Sequence, residues 1–241
     1  MIKEAGNGDA APAAASGTLF SRLTWTIQSP KLLFADIEAG VAWWEPWMWV
    51  SVLNMLVAYI SVPIQLQLVR LNPGNVPSDQ LQRTIEQMEK FGFLGVISTP
   101  VAVLVTSLII AGIAYLVVSV ISDTSSFKKF FTIYLYASIV SSLGLLIGTV
   151  LTRMKGVENI HAPEDAVASF GPALLVPSGH NILNPILSSF DVFYIWFYAL
   201  VAMGVAHVFH VGRRTAVLAV IPLWLLFVLI SLVSSRLGVA P

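Results

Sequence analysis

Cysteine is absent from the 241 residues, and charge is scarce: Asp, Glu, Lys and Arg together make up 11% of the chain. Without cysteine there is no disulfide, no thiolate metal site and no cysteine nucleophile. An average soluble domain carries about 25% charged residues, so a soluble fold of this size would lack the charge to cover its surface. The formal net charge of +0 offers no basic field for nucleic acid. Residues 1–17 contain no apolar h-region, so no cleavable signal peptide is read there, and 1–18 read as a flexible tail. A phosphate loop, a dinucleotide fingerprint, a His-Glu-x-x-His pair and a Gly-x-Ser-x-Gly turn are all missing. So are the alternating pattern of a membrane barrel and the internal symmetry of many transporters.

What is abundant is apolar: hydrophobic residues are 56% of the chain. Five stretches, 47–69, 93–121, 130–151, 190–209 and 216–234, are each near or above the roughly 20 helical residues that cross a bilayer core of about 30 Å. Lipid offers backbone groups no partner, so each is expected to be helical. The expected fold is an all-α integral membrane protein, a bundle of five transmembrane helices over 47–234, with 235–241 as a C-terminal tail. Residues 19–46 are expected to form interfacial amphipathic helices. Leu19, Phe20, Leu23 and Ile27 share one face of the first, and Ser29-Pro30 reads as the start of the second. Trp43-Trp44-Glu45-Pro46-Trp47-Met48-Trp49 then marks the entry into the membrane. Between the first two spans, Leu81, Ile85, Met88 and Phe91 recur at helical spacing, which predicts a separate amphipathic helix over 79–91 lying on the membrane or the bundle. Asn184-Pro185 is a second good helix start, from which the fourth span could begin before the bilayer core, with Asp191 then in its second turn. Pro63 and Pro100 either kink their spans or mark altered ends.

Five spans place the termini on opposite sides. The paired cations Lys128-Lys129 and Arg213-Arg214 sit in short loops beside span ends, where the positive-inside effect is strongest, and predict a cytoplasmic N-terminus.

Three blocks of sequence resemble the Ypt-interacting-protein (Yip) domain family of five-span membrane proteins. The first is Pro30-Lys31-Leu32-Leu33-Phe34 with Trp43-Trp44-Glu45-Pro46-Trp47. The second is Ser126-Phe127-Lys128-Lys129-Phe130 with Tyr134-Leu135-Tyr136-Ala137-Ser138. The third, the most specific, is Phe190-Asp191-Val192-Phe193-Tyr194-Ile195-Trp196 with Gly204 and Arg213-Arg214-Thr215-Ala216. The similarity runs from about Pro30 to the C-terminus. The acidic Asp-Leu-Tyr-Gly-Pro motif and the Gly-Tyr pair of the eukaryotic members are absent, so GTPase binding, the function implied for that branch, lacks its motif here. The resemblance is to the bacterial branch. It implies a membrane fold, a location in the bacterial cytoplasmic (inner) membrane, and no established biochemical activity.

A few polar residues stand out in the apolar stretches. Asp191, with Asn54, is a candidate polar site at the membrane edge. An acid there reads either as an ion-binding carboxylate or as an interfacial acid at a helix N-terminus, paired with Arg153 or Lys155. Ser141, Gly144 and Gly148 form a small-residue stripe that would admit a neighbouring backbone and make the third span the packing centre. Leu53, Leu56, Leu225, Leu226 and Phe227 suit spans one and five to lipid. His207 and His210 are three apart but lack further ligands, and His161, Glu164, Asp165 and His180 show no ligand spacing, so no metal and no cofactor is expected. These features predict a non-enzymatic protein acting through membrane lipids or other membrane proteins, as an organising or scaffold factor. Self-association into a homo-oligomer is compatible with it. The alternative is a small transporter or channel whose pore an oligomer would build. An intramembrane enzyme would need converging polar groups, and none is evident.

Overall fold

The computed structural model of the chain describes residues 17–71, 78–161, 163–166, 168–175 and 183–236. Every regular element among them is helical. Two short helices, α1 (Leu19–Gln28) and α2 (Pro30–Ala39), lead into α3 (Trp44–Leu71), α4 (Ser78–Ile121) and α5 (Phe127–Met154). Three single 3-10 turns and the six-residue α6 (Leu183–Ser188) follow, then α7 (Val192–Val208) and α8 (Arg213–Arg236). By length and apolar content α3, α4, α5 and α8 can each cross a bilayer. The fifth apolar helix, α7, has only 17 residues, about 25 Å of rise.

Local chemistry sets these boundaries. Thr18 caps α1 by accepting the Ser21 N–H at 3.3 Å. Pro30 opens α2, where its missing N–H costs nothing. Gly40 ends α2 at φ 120° and donates its N–H to Asp36 and Ile37 carbonyls, a left-handed turn that a side chain would strain. Pro63 and Pro100 both lie inside their helices.

The fifth helix in the chain, α5, is the centre of the bundle. In its most apolar stretch 72% of residues are buried against protein, compared with 11% in α3, 22% in α4 and 33% in α8. Helices α3, α4 and α7 all pack on α5, and α8 closes against α7 and α4. Phe130, Ile133, Leu135, Tyr136 and Ile139 of α5 are almost fully enclosed. Two apolar helices gain no hydrophobic energy by meeting in lipid, so such contacts hold through packing density and hydrogen bonds. The most exposed helices are α4 and α8, while most of α3 is at least partly covered by α4 and α5.

Two expected boundaries differ. The amphipathic segment 79–91 and the span 93–121 are one continuous 44-residue helix, α4. Gly92 does not break it, because α3 runs on alongside. Ile85 is buried, Arg70 pairs with Glu89 at 3.5 Å, and Val62 lies beside Gly92. The fourth span does not run back to Asn184-Pro185. That start opens the separate α6, and the chain turns through Ser189 and Phe190 before α7 begins.

Candidate functional site

Helices α1 and α2 do more than lie at an interface: they seal one end of the bundle. Leu33, Phe34 and Ile37 of α2 are nearly inaccessible. The Phe34 ring and Ile133 of α5 fill the space that a side chain at Gly204 of α7 would need. The Trp43 ring lies tilted against that of Phe131, which fixes the entry to α3 against α5.

Inside this seal lies a charged cluster. Arg22 of α1 donates from Nε to Asp36 Oδ2 at 3.0 Å and from Nη1 to Glu45 Oε2 at 2.7 Å. The three side chains are only 14%, 6% and 13% exposed. The Gly17 N–H adds a bond to Asp36 Oδ2 at 2.8 Å, and Tyr136 Oη of α5 reaches Glu45 Oε2 at 3.4 Å. One guanidinium thus ties α1 to α2, to the first turn of α3 and, through Glu45, to α5. Burial works against the Arg22 charge, but hydrogen bonds to the two carboxylates outweigh it and hold the group above its already high usual value.

Nothing in the sequence reading singled out this cluster. Its signal was present: Asp36 falls on the face of α2 that carries Leu33 and Ile37, where an acid needs a partner.

A second clasp joins the same end from outside. Glu38 of α2 meets His210 Nε2 at 3.0 Å and His207 Nε2 at 3.8 Å. His210 adopts φ 51°, which turns the chain from α7 to α8. Both imidazoles are well exposed, so the pair contributes on the order of 0–1 kcal/mol. Among the described residues no group of three His, Asp or Glu forms a metal-holding cluster. His161 donates its backbone N–H to Asp165. The side chain of Glu164 and the whole of His180 lie outside the described residues, as do residues 1–16 and 237–241 of the two tails.

Asn54 and Asp191 do not come together. Asn54 bridges two helices, donating from Nδ2 to Val50 O at 2.8 Å within α3 and to Ser142 Oγ at 2.9 Å on α5. Asp191 is 6% exposed and caps α7. Its Oδ1 accepts the Phe193 N–H at 2.9 Å and its Oδ2 the Phe170 N–H at 2.6 Å. It therefore precedes the first turn of α7 rather than sitting in the second turn of a helix begun at Pro185. It pairs with backbone rather than with Arg153 or Lys155. Ser189 accepts a bond from Trp224 Nε1 at 3.1 Å, and Trp224 is halfway along α8. The 3-10 connection folds in above it, bringing Phe170 against Phe193.

The small-residue stripe of α5 is filled by side chains and loop rather than by a helix backbone. The Phe193 ring occupies the space beside Gly144, while Gly148 faces the Ala168 carbonyl 3.2 Å from where its Cβ would stand. Ser141 bonds back to Ser138 O of its own helix at 3.1 Å.

Asp191→Asn is expected to lower stability by about 1.5–3 kcal/mol, the scale of hydrogen bonds to a charged group. An amide oxygen can take one N–H, but its NH2 group then faces the other. Thermal unfolding in detergent measures this, and a change below about 0.5 kcal/mol would remove the capping role.

The Yip1 domain matches residues 26–235. The membrane protein YknW of Bacillus subtilis (strain 168) is 25% identical over 229 residues, covering 92% of this chain and 94% of that protein. No solved structure matches. The match takes in α2 through α8 almost whole, with the charged seal's Asp36, Glu45 and Tyr136 inside it, and the chain belongs to the Yip1 domain family of membrane proteins.

Proposed function

We propose that this chain is a non-enzymatic membrane protein that works through protein or lipid partners, as an organiser or scaffold. One observation carries the reading. Among the described residues, the charged and amide side chains that sit among the helices are engaged with one another or with backbone: Arg22 with Asp36 and Glu45, Asn54 with Ser142, Asp191 with Phe170 and Phe193. None of these groups converges on a space where a substrate would react. Helices α4 and α8, by contrast, leave apolar residues uncovered: Ile97, Val101, Leu116 and Val120 of α4 and Val217, Leu218 and Leu229 of α8 are all exposed. Membrane lipids, other membrane proteins and further copies of the chain are the partners that such surfaces fit.

We place it in the bacterial cytoplasmic membrane with the N-terminus inside. The reading rests on the Bacillus relative and on the cations Lys128, Lys129, Arg213 and Arg214, which share the end of the bundle sealed by α1 and α2. A single cysteine at Ser125 or Thr215 is expected to resist membrane-impermeant thiol reagents in intact cells; ready labelling at both would reverse the orientation.

Purification from native membranes, with bound proteins and lipids identified together, tests the function. A defined partner or lipid set is expected, and liposomes holding the pure protein are expected to show no ion or solute flux. A reproducible flux would replace this reading with a transporter.

A further inference from the structure

We propose that the end of the bundle formed by the α4–α5 and α7–α8 turns is a docking surface for anionic phospholipid, a deepening that rests on the partner-based reading above. Its basis is an imbalance of charge pairing. At this end the acids Asp36, Glu38 and Glu45 are held by Arg22, His207 and His210. The cations Lys128, Lys129, Arg213 and Arg214 have no ion pair among the described residues, and Lys128, Arg213 and Arg214 are exposed. The turn before α5 holds one further acid, exposed Asp123, which also lacks an ion pair. Internal pairing therefore ties up these three acids and leaves the four cations without an acid partner.

The apolar residues next to these cations complete the match. Val217 and Leu218 follow Arg213 and Arg214 by one helical turn and are 55% and 63% exposed. Leu116 and Val120, at the end of α4, are 66% and 84% exposed. Helices α4 and α8 pack together, with Ala111, Ala114, Ala216 and Ala219 in the shared core. Cations thus cap an uncovered apolar wall, the order in which a phospholipid presents phosphate and then acyl chain. Ser126 makes no side-chain cap on α5, so the first N–H groups of that helix also point toward the phosphate level. Each cation near an anionic surface contributes attraction that salt weakens.

The test uses the full-length protein in mixed phosphatidylglycerol and phosphatidylcholine nanodiscs, with retained lipid counted after detergent exchange. Wild type is expected to retain phosphatidylglycerol preferentially. The variant Lys128→Gln/Lys129→Gln/Arg213→Gln/Arg214→Gln is expected to lose that preference by about tenfold or more. Arg83→Gln/Lys90→Gln, at the far end of the bundle, is expected to keep it. Should the fourfold variant fail to fold, Lys128→Gln/Lys129→Gln and Arg213→Gln/Arg214→Gln separately are each expected to lose part of it. Equal retention of both lipids by wild type, or equal losses in the far-end variant, would overturn the proposal. Competition by inorganic phosphate as strong as by phosphatidylglycerol would overturn it too, since the ligand would then be a soluble anion. Flux in liposomes would sink the partner-based reading while leaving these counts as they stand.

Discussion

Arg22→Met is expected to cost about 3–5 kcal/mol, the scale of removing one partner from a buried ion pair. The loss of attraction is the smaller part of that cost. Asp36 and Glu45 would remain enclosed, sharing only the Gly17 N–H and the Tyr136 hydroxyl between them. Two carboxylates without a cation would repel each other and force α1 or α2 off the bundle, exposing Leu33, Phe34 and Ile37. Unfolding by denaturing detergent, followed by tryptophan emission, reads the change, because Trp43, Trp47 and Trp49 line this end. The triple variant Arg22→Met/Asp36→Asn/Glu45→Gln is expected to recover most of the loss, since it leaves no buried charge. If Arg22→Met alone matched wild type, the cluster would be no more than a surface ion pair, worth about 0–1 kcal/mol.

The second large effect is expected at Gly144. A methyl group there would overlap the Phe193 ring, so Gly144→Ala is expected to cost about 1–3 kcal/mol as overpacking. Gly144→Leu with Gly148→Leu is expected to abolish the yield of monodisperse protein, because the second leucine meets the Ala168 carbonyl, a backbone atom with little room to move. Phe193→Ala is expected to relieve Gly144→Ala in part, at the expense of its own lost packing. Were the stripe turned to lipid or to another subunit, the double leucine variant would keep the thermal stability of wild type, and that result would exclude the contact.

The sequence reading reached the helices whose evidence is local. The apolar lengths located α3, α4, α5 and α8, and Ser29-Pro30 marked the start of α2. It missed features that depend on residues far apart. The segment 79–91 carries its own amphipathic period and looks independent, yet α3 runs beside it and keeps it continuous with the span. Asp191 was visible as an isolated acid, and its cap on the Phe193 N–H is local, but its second bond comes from Phe170, 21 positions earlier, where the connection folds back over α7. Gly144 and Gly148 announced a close approach without saying that a phenylalanine ring and a loop carbonyl would make it. The Arg22 cluster was the hardest to see, because it draws on positions 22, 36, 45 and 136, which no helical or strand period connects.

The shortness of α7 has a consequence for the lipid around it. Val192, Ile195 and Met203 of α7 are exposed to the surroundings along a rise of only about 25 Å, whereas α3 and α5 have 28 residues each, about 42 Å. A bilayer core is about 30 Å thick, and each ångström of mismatch costs a fraction of a kcal/mol. A span as short as α7 is met by local thinning of the bilayer, by side chains reaching out from its ends or by association with neighbours, and α3 calls for none of these. The surface around α7 is therefore expected to suit thinner membrane than the surface around α3, a preference that neighbours with equally short spans would share.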